Sequence, residues 1–426
     1  MRVIYSTIWY LLVPFLLLRY WWKGRTLPAY RERLAERFCL GPMPSLPVDI
    51  WLHTVSLGEV IAATPLVDEL LRSQKRILIT TMTPTGAERV ARQFGDQVMH
   101  RYVPHELPLT LRRFFNAFKP RVGIIFETEI WPNMIHYASE AGIPLVLFNA
   151  RLSERSMRSY KKAASFFKPY LNQFRGIYAQ GQEDAQRFIE LGAEPGRVSV
   201  LGNIKFDLET KHVNADIFWQ LKTRWGSERT VVVIASTHEN EEELILSHLK
   251  QLQQAIPQVV LVVVPRHPER FPKVIQLARQ MGFHTGHRSD MSSIQPDNEV
   301  VVIDSTGELL ACYQIADYAF VGGSFVPVGG HNVLEPIAME VPVFSGPQTH
   351  NFKMIMAALV AAKAVKVIDN AHDLMDGVAR LHANPGERDQ LIKNASNVLN
   401  ANRGAVARYV AVVKECLGEA KRISPE

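Results

Sequence analysis

Cysteine is scarce: Cys39, Cys312 and Cys416 are the only three in 426 residues. Their number is odd, they lie far apart, and no Cys-x-x-Cys or Cys/His spacing surrounds them. That excludes a disulfide scaffold and a structural zinc site, and fits reduced thiols in a cytosolic setting. The chain also lacks a GxGxxG turn and a GxxxxGK[ST] loop, so neither NAD nor ATP is the expected ligand. No repeat of solenoid period is visible. Charged residues make up 21% against 47% hydrophobic, which excludes a disordered chain. The net charge of +6 is uneven, with 26 Lys and Arg against 17 Asp and Glu in residues 1–200, and 22 against 25 thereafter. A basic front half implies an anionic partner, either a membrane surface or a charged substrate. Nucleic acid is disfavoured, because the cations are dispersed and no nucleic-acid-binding motif accompanies them.

Val3–Leu18 has no charged residue and is rich in Leu, Ile, Phe and Trp. It falls slightly short of the roughly 20 residues that cross a bilayer squarely. Tyr5, Trp9, Tyr20, Trp21 and Trp22 suit the interface. No small-residue cleavage site follows, so the segment reads as a retained anchor, either crossing the membrane or lying in it. Arg19, Lys23, Arg25, Arg31, Arg33 and Arg37 all follow it, which by the positive-inside rule puts the remainder on the cytoplasmic side.

Beyond the anchor, short apolar β-branched runs alternate with helical patterns. Val48–Val55, Arg76–Thr81, Arg121–Phe126 and Pro144–Asn149 read as strands, with helices over Glu59–Arg72, Pro84–Phe94 and Trp131–Ala141. The series restarts with Thr230–Ala235, Gln258–Val264, Val300–Asp304, Tyr318–Val321, Val341–Ser345 and Ala364–Asp369. Near-continuous hydrophobic strands with helical crossovers indicate parallel sheets covered on both faces. The expected architecture is therefore α/β, two Rossmann-like doubly wound domains whose strand ends face a central cleft. The domains are an anchor at 1–25, an N-terminal unit at 26–210, a C-terminal unit at 211–400 and a last helix at 401–426 packing back on the first unit. The junction is expected near Asp207–Asn214.

Every distinctive motif follows a strand. His53-Thr54-Val55-Ser56-Leu57-Gly58-Glu59 runs through a glycine turn into a helix, and Glu59 there suits either catalysis or the helix dipole. Glu127-Thr128-Glu129 puts two carboxylates at the mouth of a buried sheet, which is costly unless they are paired or functional. Gly202-Asn203-Ile204-Lys205-Phe206-Asp207 brings a lysine to the end of the first half. Arg266 and His267, after the strand ending at Val264, can hold a phosphate. Glu239–Glu243 reads as a solvated helix start. Thr306-Gly307-Glu308 opens a helix whose free amides suit an anion. Gly322-Gly323-Ser324 and Gly329-Gly330-His331-Asn332-Val333-Leu334-Glu335 form a glycine-rich loop entering a helix, offering backbone donors for phosphate and a carboxylate for ribose hydroxyls. For the acceptor side, Arg112-Arg113-Phe114-Phe115 and the cluster Arg155, Arg158, Lys161, Lys162 are candidates for a lipid headgroup boundary. The alternative for both is an ordinary amphipathic or solvated helix face.

In this order, HTVSLGE, FETEIWPN, NARLSERS, GNIKFD, PRHPER, TGEL and GGSFVPVGGHNVLE resemble the motifs of 3-deoxy-D-manno-octulosonic acid (Kdo) transferases. The resemblance runs from the anchor to about residue 355. It implies a GT-B fold and inverting transfer of Kdo from CMP-Kdo to the lipid A precursor lipid IVA at the inner membrane, with no cofactor and no essential metal. It also implies that Glu59 is the general base and that Glu129 and Lys205 assist the transition state. Pro265, Arg266, Thr306, Gly307, Glu308, Asn332, Val333, Leu334 and Glu335 match CMP-binding positions. The competing readings are another GT-B nucleotide-sugar enzyme, including a non-hydrolysing UDP-sugar epimerase, and a non-catalytic membrane scaffold of the same fold.

Overall fold

The computed structural model describes residues 1–43, 45–208 and 214–419. The chain divides into two compact units, Met1–Asp207 rejoined by the segment from Arg403 onward, and Leu208–Asn402. The expected junction, Asp207–Asn214, centres on 209–213, outside the described residues.

In the first unit β1 (Ile50–His53), β2 (Ile77–Thr81), β3 (Met99–Tyr102), β4 (Val122–Phe126), β5 (Leu145–Ala150), β6 (Gly176–Ala179) and β7 (Val198–Val200) form one sheet. Its order is β3-β2-β1-β4-β5-β6-β7 and every pairing is parallel. β1, β2, β4 and β5 are buried along their whole length. This explains their unbroken apolar runs, since each Val, Leu or Ile so buried contributes about 1.5–3 kcal/mol. The helix Leu57–Arg72 turns Val60, Ala63, Leu66, Val67 and Leu70 onto the sheet. The late helix Ala405–Cys416 adds Tyr409, Val410 and Val413 to the same core, so the last described helix completes the first unit.

The second unit repeats the plan with β8 (Thr230–Thr237), β9 (Val259–Pro265), β10 (Thr285–His287), β11 (Val300–Val302), β12 (Tyr318–Val321), β13 (Val343–Ser345) and β14 (Lys366–Val367). Its order is β10-β11-β9-β8-β12-β13-β14, again all parallel. Two such units in one chain make the GT-B class that the motifs implied. In each sheet the order reverses once, beside β1 and β4 in the first and beside β8 and β12 in the second. At such a switch the connections leave in opposite directions and open a crevice at the strands' carboxyl ends. His53–Glu59 and Glu127–Glu129 follow the first pair, and Thr237–Glu241 and Gly322–Ser324 follow the second.

Four strands escaped the sequence reading: β3, β6, β7 and β10. Three of them lie at sheet edges, are half-buried, and carry His, Arg, Ser or Gly where interior strands carry Val and Ile.

The helix Arg2–Thr26 is long and apolar enough to cross a membrane, and very little of it is buried. Ile4, Leu11, Phe15, Leu18 and Trp22 point outward. The opposite stripe touches the first unit, where the Tyr5 hydroxyl donates to Glu106 and the Tyr20 hydroxyl bonds His105. Phe114 and Phe115, expected at a headgroup boundary, are instead core residues packed edge-on against Trp51. They sit on the inward face of Pro108–Phe118, while Arg112 and Arg113 sit on its outward face.

Candidate active site

Glu59 occupies the first turn of the helix that follows β1. Its carboxylate accepts the Val55 N–H at 2.7 Å and the Ser56 hydroxyl at 3.1 Å, so it caps the helix as well as facing the switch crevice. Burial pushes this carboxyl up to about 8, and the nearby Glu127 and Glu129 carboxylates add to the shift against the two hydrogen bonds. Three carboxylates thus share the crevice between β1 and β4. Glu127 holds a left-handed backbone conformation (φ 62°), which a non-glycine residue adopts at a cost. Glu129, half-buried, accepts the Trp131 indole N–H, and burial raises its pKa with Glu127 contributing. At the foot of the crevice His53 is fully buried and bonded to Thr80 at 3.0 Å, and burial lowers it to about 4, so it is neutral.

Lys205 lies in the turn Ile204–Phe206 beyond β7. Asn203 accepts its N–H at 3.0 Å and Asn149 accepts the Ile204 N–H at 3.2 Å. Asn149, at the end of β5, is also left-handed (φ 51°) and fully buried, and its own N–H goes to the Tyr409 hydroxyl. Asn149 therefore ties β5, the Lys205 turn and the late helix together, a part that sequence reading missed. A buried asparagine at a strand's carboxyl end was the available signal.

The remaining first-unit candidates are peripheral. Arg112 pairs with Glu140 at 2.9 Å and lies over the Tyr137 ring, and Arg113 donates to the Gly41 carbonyl. Arg155 and Arg158 are exposed on the helix Glu154–Lys161, where Arg158 pairs with Glu154 at 3.6 Å.

In the second unit Pro265 ends β9 and Arg266 follows it, exposed. Three imidazoles accompany Arg266. The His238 and His331 Nε2 atoms are 2.8 Å apart, with ring planes 1° apart and centroids at 5.1 Å, so the rings meet end to end. His267 stands edge-on to His238 at 5.2 Å. Burial, then the Arg266 charge, holds His331 down to about 4, and burial lowers His238 too. Arg266 also acts on Glu335, whose pKa burial raises and whose carboxylate accepts from Asn332 at 3.1 Å. Asn332 in turn accepts the Leu334 N–H at 3.2 Å, while Val333 and Leu334 pack inward as the short helix begins. Arg266, the three histidines, Asn332 and Glu335 form one cluster.

Three expectations need correction here. Glu239–Glu243 is not a solvated helix start, because Glu241 and Glu242 are fully buried. Glu242 pairs with Arg270 at 2.8 Å and accepts from Thr237. The Glu241 carboxylate accepts four backbone N–H groups, those of His238 (2.9 Å), Gly323 (2.7 Å), Ser324 (3.1 Å) and Phe325 (3.0 Å). The first glycine amides therefore bind the protein's own carboxylate instead of a phosphate. Gly323 itself is required: its φ is +66° and a Cβ there would meet the His331 ring at 2.9 Å. Lastly, Thr306 and Gly307 are exposed and Glu308 bonds Ser305 and Arg288, but the helix after them is only Leu309–Tyr313. Five residues give a weak dipole, so what that segment offers an anion is its exposed loop backbone and not a helix N-terminus.

A family model described as 3-deoxy-D-manno-octulosonic-acid transferase matches residues 32–208. The chain is 40% identical over 395 residues to a Haemophilus influenzae 3-deoxy-D-manno-octulosonic acid transferase, covering 92% of each chain. It is 32% identical over 421 residues to the Bordetella pertussis one, covering 96% of this chain and 97% of the other. Among solved structures, a Neisseria meningitidis UDP-GlcNAc 2-epimerase superposes with a TM-score of 0.59 at 15% identity, over 87% of this chain and all of the other, 100%. At that identity the likeness is one of fold.

Proposed function

Because this chain belongs to the Kdo transferase family, we propose that it transfers Kdo from CMP-Kdo to the lipid A precursor lipid IVA, inverting the anomeric centre. The observation that carries the reading is the pairing of chemistries at the two sheet switches. The first unit presents an up-shifted carboxyl, Glu59, beside Glu129. The second presents Arg266 with three imidazoles and a ribose-suited carboxylate, Glu335.

In the reaction Glu59 takes the proton of the attacking acceptor hydroxyl as its oxygen bonds the anomeric carbon. The bond from that carbon to the phosphate oxygen breaks, and CMP leaves with the electron pair. Arg266 and the His238–His331 pair hydrogen-bond the leaving phosphate, and Glu335, braced by Asn332, meets the ribose hydroxyls. Pro265, Thr306, Gly307, Glu308, Val333 and Leu334 complete the nucleotide pocket. Glu129 and Lys205 act on the charge that develops at the sugar. A single phosphate is met by one guanidinium charge and by imidazole hydrogen bonds, so the reading includes no metal and no cofactor.

The helix Arg2–Thr26 anchors the protein in the inner membrane with both units on the cytoplasmic face. Its contacts at Tyr5 and at Tyr20 favour a helix lying in one leaflet over one crossing both. Exposed Arg155 and Arg158 are offered to lipid phosphates, while the anchor helix's outward face, with Leu11 and Phe15, meets the bilayer alone.

Calorimetry tests the donor half. The wild type is expected to bind CMP and not UDP, and Arg266→Ala to weaken CMP about ten-fold or more, since a charge-assisted hydrogen bond contributes about 1.5–3 kcal/mol. Unchanged CMP affinity in a folded Arg266→Ala protein removes Arg266 from the site. Binding of UDP in place of CMP returns the epimerase reading.

A further inference from the structure

The anchor helix has two faces with different partners. Val3, Ile4, Leu11, Phe15, Leu18 and Trp22 are exposed, whereas Tyr5, Ser6, Trp9 and Tyr20 are partly or fully covered by the first unit. The covered stripe lands on the segment that carries Glu129. Ser6 donates to the Asn133 side chain at 3.1 Å, and the Trp9 and Trp131 ring centroids are 6.1 Å apart. Tyr5 donates to Glu106 at 3.1 Å. Glu106 is fully buried, and its carboxylate accepts the Asn133 and Met134 N–H groups at 2.8 and 2.7 Å. Its backbone carbonyl accepts the Asn133 amide at 2.7 Å. The turn from Trp131 to Met134 is thus clamped between Glu106 and the anchor, and Trp131 is the residue that donates to Glu129.

A helix that serves only as a tether needs an apolar outer face and a linker. It does not need a hydroxyl on a buried carboxylate or an indole against another indole. We propose that the anchor helix is a positioning element of the active site: through Tyr5, Ser6 and Trp9 it sets Trp131 and Asn133, and through Trp131 it sets Glu129. The inference rests on the Kdo-transfer reading for the role of Glu129. Anchoring and catalytic competence then belong to one structural unit, and an enzyme stripped of the helix is misassembled as well as unanchored.

The test removes the membrane from the question. Full-length protein is assayed in detergent with detergent-dispersed lipid IVA and CMP-Kdo, where a tether has nothing to do. Trp9→Ala is expected to lower kcat between about ten-fold and 10²-fold, the cost of a small misplacement of a reacting group, with KM for CMP-Kdo unchanged. Trp9→Phe should recover most of the rate, and Tyr5→Phe, which deletes one hydroxyl, should give a smaller loss. Leu11→Ala combined with Phe15→Ala, on the outward face, should weaken binding to phosphatidylglycerol vesicles and leave kcat in detergent unchanged. Hydrogen exchange at the Asn133 and Met134 amides reads the clamp without reference to any reaction, and should quicken in Trp9→Ala and not in the outward-face variant. Wild-type kcat in Trp9→Ala, or unaltered exchange at those two amides, overturns the proposal. A wild type inactive with CMP-Kdo sinks the Kdo reading instead, and the exchange measurement still decides the clamp.

Discussion

Glu59→Gln should fold, bind CMP as the wild type does, and lose Kdo transfer by at least about 10²-fold, the low end for removal of a general base. Glutamine keeps an oxygen for the Val55 N–H, so the helix cap survives, but it takes no proton from the acceptor. The pH profile gives a second reading of the same residue. A base works only when deprotonated, and burial together with Glu127 and Glu129 puts this carboxyl at about 8. In the wild type kcat/KM should therefore rise with pH up to about 8 and level off above it, and fall on the acid side. The residual activity of Glu59→Gln should lack that limb. If Glu59 is only a helix-dipole partner, losing its charge leaves turnover nearly intact and lowers stability by about 0.3–1 kcal/mol. Near-normal transfer by folded Glu59→Gln would move the base role to Glu127 or Glu129.

Glu241→Ala should be the most damaging single change in the second unit. Four backbone N–H groups converge on that carboxylate, from both sides of the crevice between β8 and β12. A buried donor left without a partner costs about 1–3 kcal/mol. With two of the four left unpaired, and at about 2–4 °C per kcal/mol for a unit of this size, the melting midpoint should fall by roughly 4–24 °C. CMP binding should weaken as well, because the loop that presents His331, Asn332 and Glu335 starts from those amides. Glu241→Gln, with one acceptor oxygen left, should fall between. A melting curve and a CMP titration decide it, and Glu241→Ala with both unchanged would show that something else holds the glycine loop.

The interior of the fold was legible because buried parallel strands announce themselves. β12, Tyr318–Val321, was located to the residue, and β1, β2, β4, β5, β8 and β9 to within a few positions. Edge strands are stabilised by one neighbour and tolerate polar residues, so β3, β7 and β10 carry no such pattern. The site residues followed from a rule about place: motifs after strands gather at the switch of a doubly wound sheet. What the rule does not give is the partner of each group. Glu241 looks in sequence like any acidic helix start, and only the folded chain shows four amides turned onto it. Glu106 stands in a loop without a motif and holds the turn that follows Glu129. Phe114 and Phe115 beside two arginines fit a membrane boundary or a core equally well in one dimension. The helix rotation puts the rings inward and the guanidiniums outward.

The central claim is transfer of Kdo from CMP-Kdo to lipid IVA, and one measurement meets it directly. Purified full-length protein is incubated with CMP-Kdo and lipid IVA, and the lipid is weighed by mass spectrometry while free CMP is followed in the same mixture. The account predicts lipid IVA heavier by one or more Kdo residues, with one CMP released per Kdo added and none of either with Glu59→Gln. Lipid IVA of unchanged mass, in a protein that is folded and binds CMP, would contradict it.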